Sequence, residues 1–419
     1  MKSTLKGLLA LCLGVCALTT PEQAEALLAG AKSTGMGQVG VAYAQDTFCV
    51  AYNPAGLVDV GNRIDVSVNP FYLRERYKVS GSAVPVFNNS GNAIINPWMA
   101  DFDSGFATCI APNLSFGVTT YNNAYVKVSY GDPLPLLGTS NLKLQFIQEM
   151  IAPTLSWRIN DVHSIGISLD VAIQRLGVQG LQNFDNAFFT AFPGNLTNRG
   201  WDYSWGVGAT LGWKGDFTDW FSLGVAYQPQ IHMTRFSKYK GFLPDQGRLS
   251  VPSNVAIGMC LSPLPQWDIC LDVKHIFYND VRALHNPIVL STGPTSPNRL
   301  GLKNGLGFGW RGQTIYRFGT AYQILDNLTI RAGYRHGKTP IPSTQTAANL
   351  LTTEIFEDLL TFGASWQPCF FDGELSFFFA HGFERTTNGK GSIPAGLGGG
   401  EVDLTQGLDA FGFQASYNF

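Results

Sequence analysis

Motifs that could bind a nucleotide or perform catalysis are few in this sequence of 419 residues. Gly35, Gly37 and Gly40 have the G-x-G-x-x-G spacing of a dinucleotide site. That spacing holds a pyrophosphate only between a strand and a helix of a βαβ unit, and no such unit follows it here. None of the six histidines stands in an H-E-x-x-H motif, and there is no G-x-S-x-G elbow. We therefore predict no enzyme activity, no metal site and no cofactor.

Apolar side chains concentrate in two segments that we predict to be loops, residues 131–151 and 175–201. The second has phenylalanines at i, i+4, i+5 and i+8, the stripe of a short helix: Phe184, Phe188, Phe189 and Phe192. The first includes Leu142 and Phe146. These side chains can form a capture groove for acyl chains, because each buried CH₂ contributes roughly 0.8 kcal/mol. The alternative is that the loops pack on one another as a lid, and both can hold.

Five cations fall on the non-apolar face of predicted strands: Arg158, Lys274, Arg317, Arg331 and Arg335. A buried carboxylate headgroup needs a cation or several N–H donors, so these residues are candidate headgroup contacts. The competing interpretation, which we favour, is that they pair across strands with the acids that share their face. Those acids are Asp170, Asp268 and Asp272.

The cysteines predict neither a disulfide framework nor a zinc site. Five remain beyond the first 26 residues, an odd number without a C-x-x-C pair: Cys49, Cys109, Cys260, Cys270 and Cys369. Cys260 and Cys270 flank a predicted turn symmetrically on the same strand face. A disulfide between them is compatible with an oxidising compartment, although we favour free thiols.

The composition is that of a chain whose strands face lipid on one side only. Charged residues make up 14% and aromatics 13%, while the hydrophobic share of 45% is ordinary. Alternating strands of a membrane barrel give this balance, because only every second residue meets lipid. The net charge of −2 gives no basic surface for nucleic acid.

Period-two alternation recurs from residue 63 to the last residue, as in Ile165, Ile167 and Leu169 between Gly166, Ser168 and Asp170. Five predicted turns are short and alternate with six long connections, including 229–251, 277–313, 337–359 and 384–409. This alternation is typical of outer-membrane barrels, whose periplasmic turns are tight and whose external loops are long. We predict an all-β transmembrane antiparallel barrel of about fourteen strands.

Aromatic residues at the predicted strand ends form the expected interfacial belts: Trp157, Trp201, Trp205, Trp213, Trp220, Trp267, Trp310, Tyr316 and Trp366.

The two chain termini predict export and outer-membrane insertion. Lys2 and Lys6 precede an apolar stretch of twelve residues, and an A-x-A site ends at Ala26. A lipoprotein signal ending at Cys16 is the alternative. We divide the chain into a signal peptide (1–26), an N-terminal hatch (27–62) and a barrel (63–419). The last strand ends in Phe419, which resembles the signal that the barrel assembly machinery reads; outer-membrane lipid is the other expected partner.

Several short segments, in order along the mature chain, resemble the FadL/TodX family of outer-membrane transporters. They are Ser33-Thr34-Gly35-Met36-Gly37, Asn53-Pro54-Ala55-Gly56-Leu57, Gly305-Leu306-Gly307-Phe308-Gly309-Trp310, Leu328-Thr329-Ile330-Arg331-Ala332-Gly333-Tyr334 and His336-Gly337-Lys338-Thr339-Pro340-Ile341-Pro342. Cys49 departs from the small residue expected there. The resemblance implies a fourteen-stranded barrel with a hatch in its lumen and uptake of long-chain fatty acids or other hydrophobic compounds.

The resemblance also implies how substrate leaves the barrel, namely sideways through a gap at a kinked early strand. Hatch residues Asn53, Pro54, Ala55 and Gly56 are then the gating element, with the Asn-Pro-Ala part lying against the gap. Pro112 can mark the kink, because proline removes a hydrogen bond from the strand ladder; it can equally mark a strand end.

We therefore expect passive uptake of a hydrophobic small molecule, with long-chain fatty acids as the leading class. A general diffusion porin for small polar solutes is the alternative, and it would keep its lumen open. A structural or adhesive surface barrel is a third, and it would need no pocket for an acyl chain.

Overall fold

The computed structural model describes residues 28–289, 293–353, 355–370 and 372–419. Their strands are β1 (Arg63–Ser80), β2 (Ser90–Asn92), β3 (Trp98–Ala111), β4 (Leu114–Pro133), β5 (Asn141–Arg158), β6 (His163–Gln179), β7 (Asp202–Thr218), β8 (Phe221–Gln228), β9 (Asn254–Leu264), β10 (Trp267–Ile276), β11 (Gln313–Leu325), β12 (Leu328–Gly337), β13 (Asp358–Trp366), β14 (Gly373–Thr387) and β15 (Glu401–Asn418). The predicted signal peptide lies outside the described residues.

The helices of the described residues are all short. They are Ala31–Thr34, Thr47–Ala51, Pro54–Asp59, Pro85–Phe87, Gln182–Phe184, Ser237–Tyr239, Pro244–Gly247, Tyr278–Asp280, Arg282–His285, Ala348–Leu350 and Ala395–Leu397. In the part of the chain that the structure describes, no helix has the length and apolar character needed to cross a membrane.

Fourteen strands form a closed antiparallel barrel in which each strand pairs with its sequence neighbours. The ring closes between β1 and β15, which pair from Arg63↔Asn418 to Ser80↔Glu401 except at Asn69 and Pro70. The short β2 pairs only with the upper part of β1, beyond the end of β3. Closure pairs the first strand of the ring with the last, so the sheet has no free end strands within the bilayer. The predicted fold class is confirmed.

The alternation along β6 shows why this sequence forms a membrane barrel. Ile165, Ile167 and Leu169 are exposed on the outer face, whereas Ser168 and Asp170 are buried on the inner face. Water is absent from the outer face of such a barrel, so its apolar residues solvate in lipid and its polar residues turn inward.

Three of the six predicted long connections are clearly shorter in the structure, and the other three agree within two residues. The predicted loop 131–151 is wrong, because β4 extends to Pro133 and β5 begins at Asn141. The predicted loop 384–409 reduces in the same way to residues 388–400. The segment around Leu144 was assigned to a loop because the apolar residues of β5 change faces along the strand. Leu144 lies on the inner face against packed loops, whereas Leu155 lies on the outer face.

Strand length differs strongly around the barrel. β4, β5, β6 and β7 have 17 to 20 residues, whereas β8 and β13 have eight and nine. The connections 229–253, 277–312 and 338–357 follow the short strands, and they fold over the mouth against the taller wall. Their apolar residues form the largest core cluster with the inner faces of β4, β5 and β6.

Candidate functional site: a plugged lumen with two apolar cavities

The N-terminal segment 28–62, here called the hatch, lies inside the barrel. Nearly all its residues up to Val58 are buried. Asn53 organises its centre: its Oδ1 accepts a hydrogen bond from the N–H of Ala55 at 3.0 Å, capping the turn that Pro54 begins. The Asn53 Nδ2 donates to the carbonyls of Val41 at 2.7 Å and Trp213 at 2.9 Å. One side chain therefore ties the hatch both to itself and to the wall.

Glycines on the inner wall allow the hatch backbone to approach closely. A Cβ on Gly212 would lie 2.1 Å from Asn53 Oδ1, and one on Gly166 would lie 2.3 Å from the Pro54 carbonyl carbon. On the opposite wall, a Cβ on Gly333 would lie 2.1 Å from the backbone nitrogen of Gly37. Gly224, Gly258, Gly319 and Gly363 meet the hatch in the same way. These wall glycines form a seat that fits the hatch in one position.

Buried polar contacts hold the hatch in this seat. Lys32 pairs with Glu374 of the wall at 2.8 Å, and Asp272 accepts hydrogen bonds from the backbone N–H groups of Gly40 and Val41 at 2.8 and 3.1 Å. Burial lowers the pKa of Lys32, an effect that Glu374 opposes. Burial also raises the pKa of Asp46, whose carboxylate accepts from the Gln414 amide at 2.9 Å. Most charges in the lumen are therefore used to dock the hatch.

Two apolar cavities lie above the hatch. The inner cavity has about 860 Å³ of space not filled by atoms. It lies between the β4–β6 wall and the overlying loops, and its lining includes Phe146, Leu176, Phe242, Lys274 and Trp310. The outer cavity, of about 820 Å³, lies among the loops, with Leu136, Phe184, Phe189, Phe242 and Leu351 in its lining. Phe242 contributes to both and is the shared partition.

The wall is interrupted beside the inner cavity. β3 and β4 pair only from Ala111↔Leu114 up to Ser104↔Thr120, although both strands continue upward with their other neighbours. Asn123 is the extra residue of a β-bulge between Asn122 and Ala124, and it also lines the inner cavity. The cavity therefore reaches the place where the hydrogen-bond ladder is broken.

Two residue assignments from the sequence need correction here. Pro112 lies in the two-residue turn between β3 and β4, so it marks a strand end and not a kink in the wall. The Asn53-Pro54-Ala55 element does not lie at the interruption. Ala55 accepts a hydrogen bond from Ser156 of β5, and Asn53 donates to β7. The start of the described hatch lies nearer, since Asn69 joins the Leu28 carbonyl and Asp103 at 3.2 and 2.9 Å.

The predicted capture-groove residues are only partly brought together. Phe184 and Phe189 line the outer cavity and Phe146 the inner one. Phe188, Phe192 and Leu142 line neither; Leu142 is buried core, and Phe188 is 46% exposed. The predicted short helix is wrong, because residues 182–190 form a single 3-10 turn followed by an irregular turn. The groove-forming segment thus folds around its aromatic contacts and not around a helical stripe.

Of the five candidate headgroup cations, Lys274 alone lines either of the two cavities above the hatch. Arg158 pairs with Asp59 at 2.6 Å at the periplasmic end. Arg331 contacts the hatch through Gln45 at 2.9 Å, and Arg317 lies over the Tyr52 ring at 5.9 Å. Arg335 lies over the ring of Phe356 in the overlying loop at 5.3 Å. Strand parity placed all five on the inner side, but it could not say which contact the hatch.

Sequence reasoning missed the aromatic residues that wall the inner cavity, among them Phe242, Phe308 and Trp310. Trp310 was predicted in an interfacial belt but is buried. Its indole donates to Asn349 at 2.7 Å, and its ring meets that of Tyr278 edge-on at 5.0 Å. The glycine-rich motif around Phe308 was the available signal, because closely spaced glycines and aromatics indicate tight loop packing.

Cys260 and Cys270 face each other on β9 and β10 and form a disulfide, so the expectation of free thiols was wrong. Their side chains pack against Met36, Val39 and Ala42 of the hatch.

The fold and the lumen together define a transmembrane β-barrel whose channel is filled by its own N-terminal segment and holds apolar cavities. The family model described as "Outer membrane protein transport protein (OMPP1/FadL/TodX)" matches residues 15–419. The chain belongs to this family. It is therefore an outer-membrane transporter of hydrophobic compounds and not an enzyme.

Solved structures agree with the fold. A FadL homologue of Pseudomonas aeruginosa is 16% identical, with a TM-score of 0.69 over 96% of this chain and 99% of that one. The P. putida toluene transporter TodX is 15% identical, with a TM-score of 0.66 over 93% and 98% of the two chains. The Ralstonia pickettii toluene transporter TbuX is 15% identical, with a TM-score of 0.64 over the same shares. No curated protein matches the chain.

Proposed function

We propose that this protein takes up long-chain fatty acids passively, through the outer cavity, then the inner cavity, and then sideways past the interruption between β3 and β4. The observation that carries the substrate class is Lys274. It supplies a cation to the lining of the inner cavity, which is otherwise rich in apolar residues such as Leu144, Phe146 and Ile276. A cation at one place in an apolar cavity suits a ligand with one carboxylate and a long hydrocarbon chain.

The order of the path follows from its geometry. The outer cavity lies among the external loops, and Phe242 separates it from the inner cavity. Asn123 links the inner cavity to the β3–β4 interruption. An acyl chain gains by passing from water through apolar surfaces into lipid, so no energy source is required.

The hatch favours this function over a general diffusion porin. A polar solute needs a water-filled lumen, whereas here the hatch is in contact with wall strands on both sides of the barrel. A purely structural barrel would not need two apolar cavities that share a partition. The gating element is the hatch, with Asn53 holding its central turn.

Monoaromatic hydrocarbons are the second candidate substrate class, because TodX and TbuX are toluene transporters. Lys274 discriminates between the two classes. A hydrocarbon has no group that an ammonium can bind, so removing the Lys274 charge should weaken binding of a fatty acid but not of a hydrocarbon.

The test is a binding titration of purified, detergent-folded protein with a fluorescent C16 fatty acid, the matching C16 alcohol and toluene as competitors. We expect Lys274→Gln to weaken fatty-acid binding by about 10- to 150-fold, the range of a charge-assisted hydrogen bond, and to leave alcohol binding unchanged. Arg158→Gln is the matched control, because Arg158 lies at the periplasmic end. Equal affinity of wild type and Lys274→Gln for the acid, with tight toluene binding, would transfer the proposal to hydrocarbons.

A further inference from the structure

The outer wall above β4, β5 and β6 carries a second site, on the lipid side of the barrel and separate from the transport path. We propose that this site binds the phosphate-bearing headgroup of an outer-leaflet lipid. The site, here called the basic groove, is lined by Lys127, Lys143 and Trp201, and Arg175 and Lys238 contact Trp201 beside it.

The cross-strand register brings the groove residues into rows. Lys127 lies opposite Gln145, which lies opposite Gly177; one row higher, Ser129, Lys143 and Gln179 lie opposite one another. These residues surround a depression of about 600 Å³. Amides and ammonium groups thus line one recess, and both can donate to phosphate oxygens.

Trp201 forms the lower side of the groove. A Cβ on Gly177 would lie 3.0 Å from its indole ring, so the absence of a side chain there lets the indole lie against the wall. The Arg175 guanidinium stacks over the same ring at 4.3 Å. Lys238 donates to the Trp201 carbonyl at 2.5 Å, which brings its ammonium to the rim. These contacts hold the groove residues in defined positions, so the surface is more than a random cluster of exposed lysines.

The position of the groove relative to the membrane indicates its partner. Along the outer face of β6, the apolar residues end at Ile173, and Arg175 follows two residues later on the same face. Trp201, Tyr203 and Trp205 beside it are exposed aromatics of the kind that mark a membrane interface. The groove thus lies at the headgroup level of the outer leaflet, where cations at a wall attract lipid phosphates.

The charge balance supports an anionic partner. Glu149 attracts Arg175, and the buried Asp202 accepts a hydrogen bond from the Lys238 backbone N–H at 2.7 Å. Lys143 is exposed and forms none of the ion pairs of the described residues. On β1, which only β3 separates from β4, Arg74 and Arg76 are by contrast paired with Asp409 and Glu384. The basic groove therefore contains at least one exposed ammonium, that of Lys143, which is available to an anionic partner.

The test uses the delipidated full chain in neutral detergent and diphosphoryl lipid A as the probe, with retained lipid counted by native mass spectrometry. We expect wild type to retain the probe and the Lys143→Gln/Lys238→Gln variant to bind it about 25-fold more weakly, about fivefold for each lysine. Dephosphorylated lipid A should be retained poorly by both, and 500 mM salt should weaken wild-type binding. Arg76→Gln is the matched control and should behave as wild type.

Heat-modifiable electrophoretic mobility verifies that each variant is folded. Equal retention of phosphorylated and dephosphorylated lipid would overturn the proposal, and so would equal losses in the double variant and in Arg76→Gln. If 10 mM inorganic phosphate displaced the bound probe as strongly as an excess of lipid A does, the groove would be a site for soluble anions. This result would also overturn the proposal. None of these outcomes depends on whether the lumen transports fatty acids.

Discussion

A single methyl group at Gly333 should unseat the hatch. In the structure, a Cβ there would lie 2.1 Å from the Gly37 nitrogen and 2.2 Å from the Met36 carbonyl carbon. The hatch backbone would have to retreat by at least 1.3 Å to reach the 3.4 Å at which ordinary contact begins. That retreat would break the hydrogen bond from the Gly37 N–H to Thr361 Oγ1, which is 2.8 Å long.

The cost of Gly333→Ala can be placed within limits. Overpacking a close contact typically costs about 1–3 kcal/mol, and this range corresponds to a change of about 5- to 150-fold in a two-state equilibrium. Because the strain is confined to the docked hatch, it should raise the population of barrels with a displaced hatch by that factor. The barrel itself should remain folded, since the sheet hydrogen bonds of β12 are unaffected.

Liposome swelling with a small sugar measures the effect directly. We expect slow swelling for wild type and clearly faster swelling for Gly333→Ala. Gly131→Ala is the matched control, because its Cβ would lie 3.4 Å from the Ile95 side chain and far from the hatch contacts. If liposomes with folded Gly333→Ala swelled only as slowly as those with wild type, the reasoning that the wall glycines seat the hatch would be refuted. Normal heat-modifiable mobility would verify that the variant is folded.

Three further changes test other contacts. Phe242→Ala should weaken binding of a fluorescent fatty acid by about tenfold or more, because a buried phenylalanine contributes about 1.5–3 kcal/mol. The control is the same substitution at the exposed Phe188. An unchanged affinity of Phe242→Ala would contradict the role of Phe242 as the partition between the two cavities. Lys32→Met should lower the thermal unfolding midpoint, because breaking a buried ion pair costs about 3–5 kcal/mol. Adding Glu374→Met should restore most of the lost midpoint, because no buried charge is then left unpaired. A double variant as unstable as Lys32→Met alone would contradict the pairing. Deletion of Asn123 should allow the β4 ladder to run straight, so that fatty-acid binding persists while transfer into the bilayer slows; unchanged transfer would exclude this exit.

Barrel class and strand direction could be predicted from the sequence because both follow from local rules. Alternation such as that of Ile165, Ile167 and Leu169 sets which face meets lipid, and short turns set the periplasmic side. The loop boundaries at Asn141 and Glu401 could not, since the upper ends of β5 and β15 are covered by loops on their inner face.

The site was predicted less completely, for a different physical reason. Parity put Lys274 and Arg331 on the same inner face, but only the folded hatch decides that Arg331 contacts Gln45 while Lys274 reaches a cavity. The wall interruption is equally non-local. The sequence analysis used the proline at residue 112 as its signal, whereas the bulge at Asn123 depends on how β4 pairs with β5 above the point where its pairing with β3 ends. A bulge of an ordinary polar residue has no sequence signature of its own.

The most direct test of the central claim is to follow a radiolabelled C16 fatty acid and a small sugar with the same preparation of folded wild-type protein. The structure predicts saturable fatty-acid binding, acceleration of fatty-acid entry into liposome membranes and little passage of the sugar. No binding of fatty acid or hydrocarbon, together with free passage of the sugar, would contradict the account and identify the barrel as an open diffusion porin.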